Sequence, residues 1–194
     1  MYKRVFKRYL DIFLSLLAAM VLLPVMVMIG VAIKLDSKGS ILFKQKRIGL
    51  GKGTFYLYKF RTMSIDTPQD MPTHLLTDPE AYITKVGAIL RQTSLDELPQ
   101  LYNIIKGEMA IVGPRPALWN QDDLVAERDK YGANRVRPGL TGWAQVNGRD
   151  ELSIPEKARF DGEYVADLSL GMDMRCILKT VENVAFRAGI VEGK

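Results

Sequence analysis

Two adjacent carboxylates, Asp96 and Glu97, stand in the stretch Thr93-Ser94-Leu95-Asp96-Glu97-Leu98-Pro99-Gln100, with Arg91 before them and Arg115 after them between two prolines. A carboxylate can act as a nucleophile that splits one difficult transfer into two steps. Arginine forks hold phosphate through paired N–H donors. The chain has one histidine, His74, which excludes a His-rich metal site and argues against a histidine-based triad. Its one cysteine, Cys176, allows no internal disulfide and suits a reducing compartment. Acid–base or nucleophilic chemistry therefore falls to carboxylates, lysines, tyrosines or hydroxyls. The same stretch has a second account, because Ser94-x-x-Glu97 has the pattern of a helix capping box. That register puts Pro99 at the fifth helical position, where its missing N–H breaks a bond. A helix starting at Asp96 tolerates Pro99 in its first turn and sets both acids at the positive end of the helix dipole. Leu98, Leu101 and Ile105 then face the core, and Gly107 ends the helix. A cap plus a dipole-complementing glutamate also explains the pair without chemistry.

The elements that position this stretch follow from composition and periodicity. At 194 residues the chain is one domain with room for an appendage and is long enough to bury a core. A net charge of +5 suits an anionic partner such as phosphate, nucleic acid or a lipid surface. Ile41-Leu42-Phe43 and Thr54–Phe60 read as strands joined by the turn Gly49-Leu50-Gly51-Lys52-Gly53, which fits neither the P-loop nor the dinucleotide spacing. Lys59 and Arg61 leave the second strand together. The polar, proline-rich stretch from Ser64 to Pro79 reads as a loop, and Lys85–Arg91 as a short helix with Val86, Ile89 and Leu90 on its apolar side. Met109–Val112 is a strand running into Gly113-Pro114-Arg115-Pro116, where two prolines fix the backbone around one arginine. Gln121–Tyr131 is a charged helix. Arg135 to Arg149 is a glycine-rich stretch carrying Arg137, Trp143, Gln145, Asn147 and Arg149, residue types that read a base or sugar by stacking and amide hydrogen bonds. Ser153-Ile154-Pro155-Glu156 opens a helix with a capping box. A last helix from Asp173 carries the stripe Met174, Ile177, Leu178, Val181 and Ala185, suited to the core or to a lipid interface.

From Ile12 to Ile33 no residue is charged. The run is long enough to cross a bilayer, but Pro24 interrupts it. Its two arms would be only roughly 18 and 14 Å long at ~1.5 Å per residue, short of a ~30 Å hydrocarbon core. Lys3, Arg4, Lys7 and Arg8 precede it, and Lys34, Lys38, Lys44, Lys46 and Arg47 follow it. Positive charge on both flanks suits a segment that enters and leaves by one face. The expectation is a re-entrant helical hairpin broken at Pro24, with Ser15 a weak aid to the broken backbone.

Several motifs in order carry a family resemblance: Lys7-Arg8-Tyr9-Leu10-Asp11, Tyr58-Lys59-Phe60-Arg61-Thr62-Met63, Ser94 to Gln100, Gly113-Pro114-Arg115-Pro116, and Arg137-Pro138-Gly139-Leu140-Thr141-Gly142 through Gln145-Val146-Asn147-Gly148-Arg149. Over nearly its whole length the chain resembles the bacterial sugar transferases, the small monotopic phosphoglycosyl transferases. It departs from them at Leu23-Pro24, where small members often carry Ser-Pro. The resemblance implies a UDP-sugar donor bound with Mg²⁺, Asp96 as nucleophile and metal ligand, and Glu97 as its helper. It implies a phosphosugar-aspartyl intermediate, release of UMP, and undecaprenyl phosphate as acceptor, opening the synthesis of a capsule, exopolysaccharide, O-antigen or glycoprotein glycan. It places Arg91, Arg115 and Arg149 around the phosphates, with Lys59 and Arg61 as a basic pair beside them. It implies a place at the cytoplasmic face of the bacterial inner membrane, against membrane lipids. The fold class expected is α/β, more closely α+β and mostly helical with short strands. Residues 1–38 form the re-entrant membrane segment, and residues 39–194 a small cytosolic catalytic domain with interfacial amphipathic helices.

Two other classes compete. A membrane-anchored, non-catalytic basic protein could recruit an anionic partner. A nucleic-acid binder would suit the charge, but the cations are spread along the chain and no nucleic-acid motif is present, so no nucleic-acid partner is expected. Both leave paired carboxylates among arginines unexplained.

Overall fold

A computed structural model of the chain describes residues 2–67, 80–148 and 151–186. Arg149, His74 and Arg187 lie outside the described residues, as does most of the loop between Ser64 and Pro79.

The apolar run forms one helix, α1 (Lys7–Asp36), which continues through Pro24. The expected break into two arms is therefore corrected. Proline's fixed φ is compatible with a helix, and the cost of one lost backbone bond is about 3 kcal/mol. Packing on both sides of Pro24 opposes that cost. Asp11 and Ser15 are buried, Ala18 and Ala19 pack on one core, and Val25, Met26, Ile29 and Ile33 pack on another. These positions recur at helical spacing, so one continuous stripe rests on the protein from end to end. The opposite face is apolar and exposed, with Phe13, Leu17, Met20, Val27 and Val31 outward. Ser15 is fully buried with its hydroxyl unpartnered, nine positions before Pro24, and does not serve the backbone there.

Strands β1 (Leu42–Ile48) and β2 (Thr54–Phe60) form an antiparallel hairpin. Its register pairs Phe43 with Lys59, Gln45 with Leu57 and Arg47 with Phe55. Side chains directly opposite one another share a face. One face of the hairpin thus carries Phe43, Gln45, Arg47, Phe55, Leu57 and Lys59. Helix α2 (Lys85–Thr93) buries Leu90, with Val86 packed beside it, but leaves Ile89 exposed. A turn of 3-10 helix, Leu95–Glu97, leads to α3 (Gln100–Lys106), which ends at Gly107 with φ +100.

Strand β3 (Ala110–Val112) pairs in parallel with β4 (Gly139–Thr141). A Cβ on Gly139 would lie 2.1 Å from the Gly113 nitrogen, and one on Gly142 2.0 Å from the Gly113 oxygen. These glycines let two backbones touch and so fix the Gly113-Pro114-Arg115-Pro116 turn. Helices α4 (Asp122–Asp129), α5 (Trp143–Val146), α6 (Ile154–Ala166) and α7 (Leu170–Phe186) complete the fold. The Ser153–Glu156 capping box is formed. In α7, Met172, Asp173 and Cys176 face inward, while Met174, Leu178, Val181 and Val184 are exposed. The expected stripe is therefore mainly an outer face.

Three apolar clusters hold these parts. Phe55, Leu57, Leu101, Ile104 and Met109 pack between the hairpin, α3 and the middle of α1. Phe60, Leu90, Ile29 and Ile33 join β2 and α2 to the later part of α1. Val112, Tyr164, Leu168, Met172 and Cys176 join β3 to α6 and α7. A buried polar group ties in the start of α1. Asp173 accepts hydrogen bonds from Tyr2, Lys7 and Tyr164 at 2.5, 2.7 and 2.8 Å.

Candidate active site

Asp96 lies in the 3-10 turn between α2 and α3 and is 8% exposed. Ser94 adopts a left-handed conformation (φ 57) that ends α2, and its side chain caps nothing. The capping box is thus not formed. The α-helix proper starts at Gln100, four positions later than the expected start at Asp96, because Pro99 occupies the N-cap. The acids therefore answer to side-chain cations more than to a helix dipole.

Lys59 supplies the nearest charge. Its Nζ lies 2.7 Å from Glu97 Oε1 and 3.5 Å from Asp96 Oδ2. Arg115 Nη1 lies 3.6 Å from the same Glu97 oxygen. Arg91 acts on Asp96 through its charge and donates from Nε to Thr62 Oγ1 at 3.0 Å. Burial raises the Asp96 carboxyl above the ordinary carboxylate range; Glu97 raises it further, while Lys59 and Arg91 oppose the shift. Asp96, Glu97, Lys59, Arg91 and Arg115 form one group, drawn from a strand, two helical segments and the Pro-Arg-Pro turn.

Other predicted residues stand elsewhere. Arg61 is buried and donates to the backbone oxygens of Lys38 and Ser37, the latter at 2.9 Å. It fixes the chain after α1. Arg137 donates to the Gly107 oxygen at 2.9 Å, at the end of α3 away from Asp96. At ~1.5 Å per residue, α3 puts that end about 10 Å off. Arg137 thus lies at the C-terminal end of α3. Gln145 donates to the Leu140 oxygen at 3.2 Å, and its Oε1 is buried without a partner. Asn147 donates to the Trp143 oxygen at 2.7 Å and accepts from Lys179 at 3.0 Å. Gln145 sits on α5 and Asn147 caps its C-terminus, while the N-cap Gly142 abuts Gly113, two residues before Arg115.

The hairpin register adds two residues that spacing had not marked. Arg47 and Gln100 line a small cleft together with Leu57, Lys59, Arg115 and Pro116. Alternation along β1 could have placed Arg47 on the Lys59 face, but only once the register was known. Asn103, fully buried on α3, accepts from the Tyr58 N–H at 3.1 Å and donates to the Tyr56 oxygen at 2.8 Å. It acts as a strand neighbour for β2 and so aligns Lys59 with the turn carrying Asp96.

Among the described residues no group of three or more His, Cys, Asp or Glu side chains could cage a metal. Mg²⁺ is commonly held by one or two carboxylates plus substrate phosphates. Asp96, a single carboxylate among Lys59, Arg91 and Arg115, fits that pattern.

Fold and site together define a compact domain bearing a long apolar helix, with a carboxylate dyad, Asp96 buried and Glu97 half-buried, set among cations suited to phosphate esters. The chain belongs to the bacterial sugar transferase family, whose model matches residues 2–187. It is 38% identical over 181 residues to a UDP-glucose:undecaprenyl-phosphate glucose-1-phosphate transferase of Xanthomonas campestris pv. campestris, covering 90% of this chain and 37% of that protein. It is 36% identical over 197 residues to the exopolysaccharide production protein ExoY of Sinorhizobium fredii, covering 94% and 87%. It is 42% identical over 189 residues to the exopolysaccharide production protein PSS of Rhizobium leguminosarum bv. phaseoli, covering 91% and 94%. The chain thus spans well under half of the Xanthomonas relative and most of the two rhizobial ones.

Proposed function

We propose that this chain transfers a sugar 1-phosphate from a UDP-sugar to undecaprenyl phosphate, opening the lipid-linked stage of a glycan. The observation that carries the reading is a buried Asp96 flanked by Lys59 and Arg91, next to Glu97 and a cleft lined by Arg47 and Arg115. Asp96 attacks the sugar-bearing phosphorus through a carboxylate oxygen. An acyl-phosphate bond forms, the phosphoanhydride bond breaks, and UMP leaves with the electron pair. An oxygen of undecaprenyl phosphate then attacks the same phosphorus. The aspartyl oxygen departs, and the lipid carries the sugar as a diphosphate.

Lys59 and Arg91 offset charge on the phosphoryl oxygens, which is the main protein contribution to such transfers. Glu97 orients Lys59 and Arg115, which it holds at 2.7 and 3.6 Å. Mg²⁺, held by Asp96 and the donor's phosphates, supplies further charge neutralisation when bound. The relatives' printed activities support the donor and acceptor classes.

Attachment is to the cytoplasmic face of the bacterial inner membrane, by the outer faces of α1 and α7. Both ends of α1 rest on the same globular body, which supports a monotopic placement with both flanks on one side. The enzymatic test uses purified protein, Mg²⁺ and a panel of radiolabelled UDP-sugars, with and without undecaprenyl phosphate. UMP release and a labelled lipid product are expected. Both should fall by at least about 10³-fold in Asp96→Asn, the scale of losing a catalytic group. Retained turnover in that variant removes the nucleophile assignment.

A further inference from the structure

The transfer chemistry above uses Arg91 but not the residue that holds it. Thr62 follows β2 and is buried. Its Oγ1 accepts the hydrogen bond from Arg91 Nε at 3.0 Å, and its backbone oxygen accepts from the Thr84 N–H at 3.0 Å. Thr84 is the N-cap of α2, and its own Oγ1 accepts from the Gly87 N–H at 3.0 Å. A Cβ on Gly87 would lie 2.0 Å from the Thr62 oxygen, so this glycine lets α2 press its backbone onto Thr62. Gly87 and Arg91 stand one helical turn apart and share a face. Thr62 thus meets the start of α2 through its carbonyl and the end of α2 through its hydroxyl. The neighbouring backbone is anchored as well. Arg61 N–H donates to the Ile41 oxygen at 2.9 Å, its guanidinium grips the Lys38 and Ser37 oxygens, and Asp36 accepts from the Val86 N–H at 3.1 Å. Lys59, which reaches both acids, lies just upstream on β2. Two cations that act on Asp96 are therefore referred to one stretch of chain, Lys59 by covalent connection and Arg91 by a single hydroxyl.

We propose that Thr62 is a positioning residue for the transfer step, its hydroxyl setting the guanidinium plane of Arg91 against Asp96 before the phosphoryl group arrives. The inference rests on the transfer reading for its catalytic consequence. An arginine side chain has several rotatable bonds, and a hydrogen bond at Nε fixes the plane of its fork. Charge held in place beforehand needs no reorganisation at the moment of reaction, so loss of the hydroxyl falls on kcat more than on KM.

The test reads the contact and the chemistry separately. The full chain in detergent is compared as wild type, Thr62→Val, Thr62→Ser, Arg91→Met and the Thr62→Val/Arg91→Met double variant. With isotope-labelled arginine, the Arg91 Nε–H resonance is assigned by its loss in Arg91→Met. Solvent exchange of that proton should quicken about tenfold or more in Thr62→Val and stay near wild type in Thr62→Ser, which keeps the acceptor. With a UDP-sugar that wild type turns over and undecaprenyl phosphate, Thr62→Val is expected to lower kcat about tenfold or more while the donor KM stays within about threefold. Thr62→Ser should restore most of that kcat. In the Arg91→Met background Thr62→Val should cost little further, the mark of action through Arg91. A merely structural role would give the same loss in both backgrounds. Unchanged exchange, unchanged kcat, or an equal loss in both backgrounds each overturns the proposal. If Thr62→Val does not fold, Thr62→Ala removes the same hydroxyl with less bulk and carries the same cycle. If wild type transfers no sugar phosphate, the transfer reading fails, and exchange of the Arg91 proton alone decides whether Thr62 holds it.

Discussion

Asp96 is asked to be ionised in a place that opposes ionisation. Burial raises its pKa, with Glu97 adding to the effect. A carboxyl raised in the folded state contributes stability below its unfolded pKa and loses it as pH rises through the folded value. At neutral pH the ionised residue therefore costs stability, and Asp96→Asn should melt at or above the wild-type temperature while losing activity. The same shift sets the pH dependence. The proposed nucleophilic attack requires the carboxylate, so the acid limb of kcat/KM should fall above the pH of an ordinary aspartate, near 4. A limb at or below that value would disprove an elevated Asp96. The dyad and its arginines were legible as residues in the sequence, because acids beside cations and prolines form a local pattern. Arg61 and Arg137 were legible only as charges. Which carbonyl a guanidinium reaches depends on where another segment ends, and that contact is not local.

At the scale of elements, the long helix and the hairpin do different work. α1 runs unbroken through Pro24, although proline removes one backbone bond. Pro24→Ala restores that bond without touching the docking stripe. It should keep transfer activity within about twofold and raise thermal stability in detergent, since a helix-interior proline costs about 3 kcal/mol. Loss of activity with retained folding would mean that a bend at Pro24 matters. The hairpin is joined to α3 by the side chain of Asn103, which serves two backbone groups of β2. Asn103→Ala leaves Tyr58 N–H without its partner and opens a small void. It should destabilise by about 2–4 kcal/mol in a denaturant titration. A change under about 0.5 kcal/mol would show that β2 finds another partner. An uncharged run located α1, though as two arms broken at Pro24; apolar spacing located α2, a capping box α6, and strand composition the hairpin. The start of α3 shifted, because Pro99 and the left-handed Ser94 made a 3-10 turn where spacing suggested a cap.

Across the whole molecule, α1 is fastened to the rest near both of its ends. Its early residues bind α3 and α7, and its late residues bind β2 and α2. Arg8 donates to the Ile104 and Ile105 oxygens at 2.6 and 3.0 Å, and Asp36 accepts from the Val86 N–H at 3.1 Å. A helix fastened at both ends to one body cannot place those ends on opposite sides of a bilayer while the body stays on one. Single cysteines at Lys3 and Lys38, in a Cys176→Ala background, should therefore label from the cytoplasmic side of intact vesicles. Labelling from opposite sides would overturn the monotopic placement.

The amino-acid sequence by itself determined the apolar segment, the hairpin, the mixed fold and the Asp96-Glu97 pair with Arg91 and Arg115. These follow from composition, period and neighbouring residues, all of them local properties of the chain. Tertiary structure alone decided that α1 docks along its whole length, and that Arg61 and Arg137 serve backbone carbonyls. It alone brought Lys59 between the two acids and set Arg47 against Arg115. Those outcomes depend on strand register and on contacts between distant segments, where one residue of slip would turn a side chain to the opposite face.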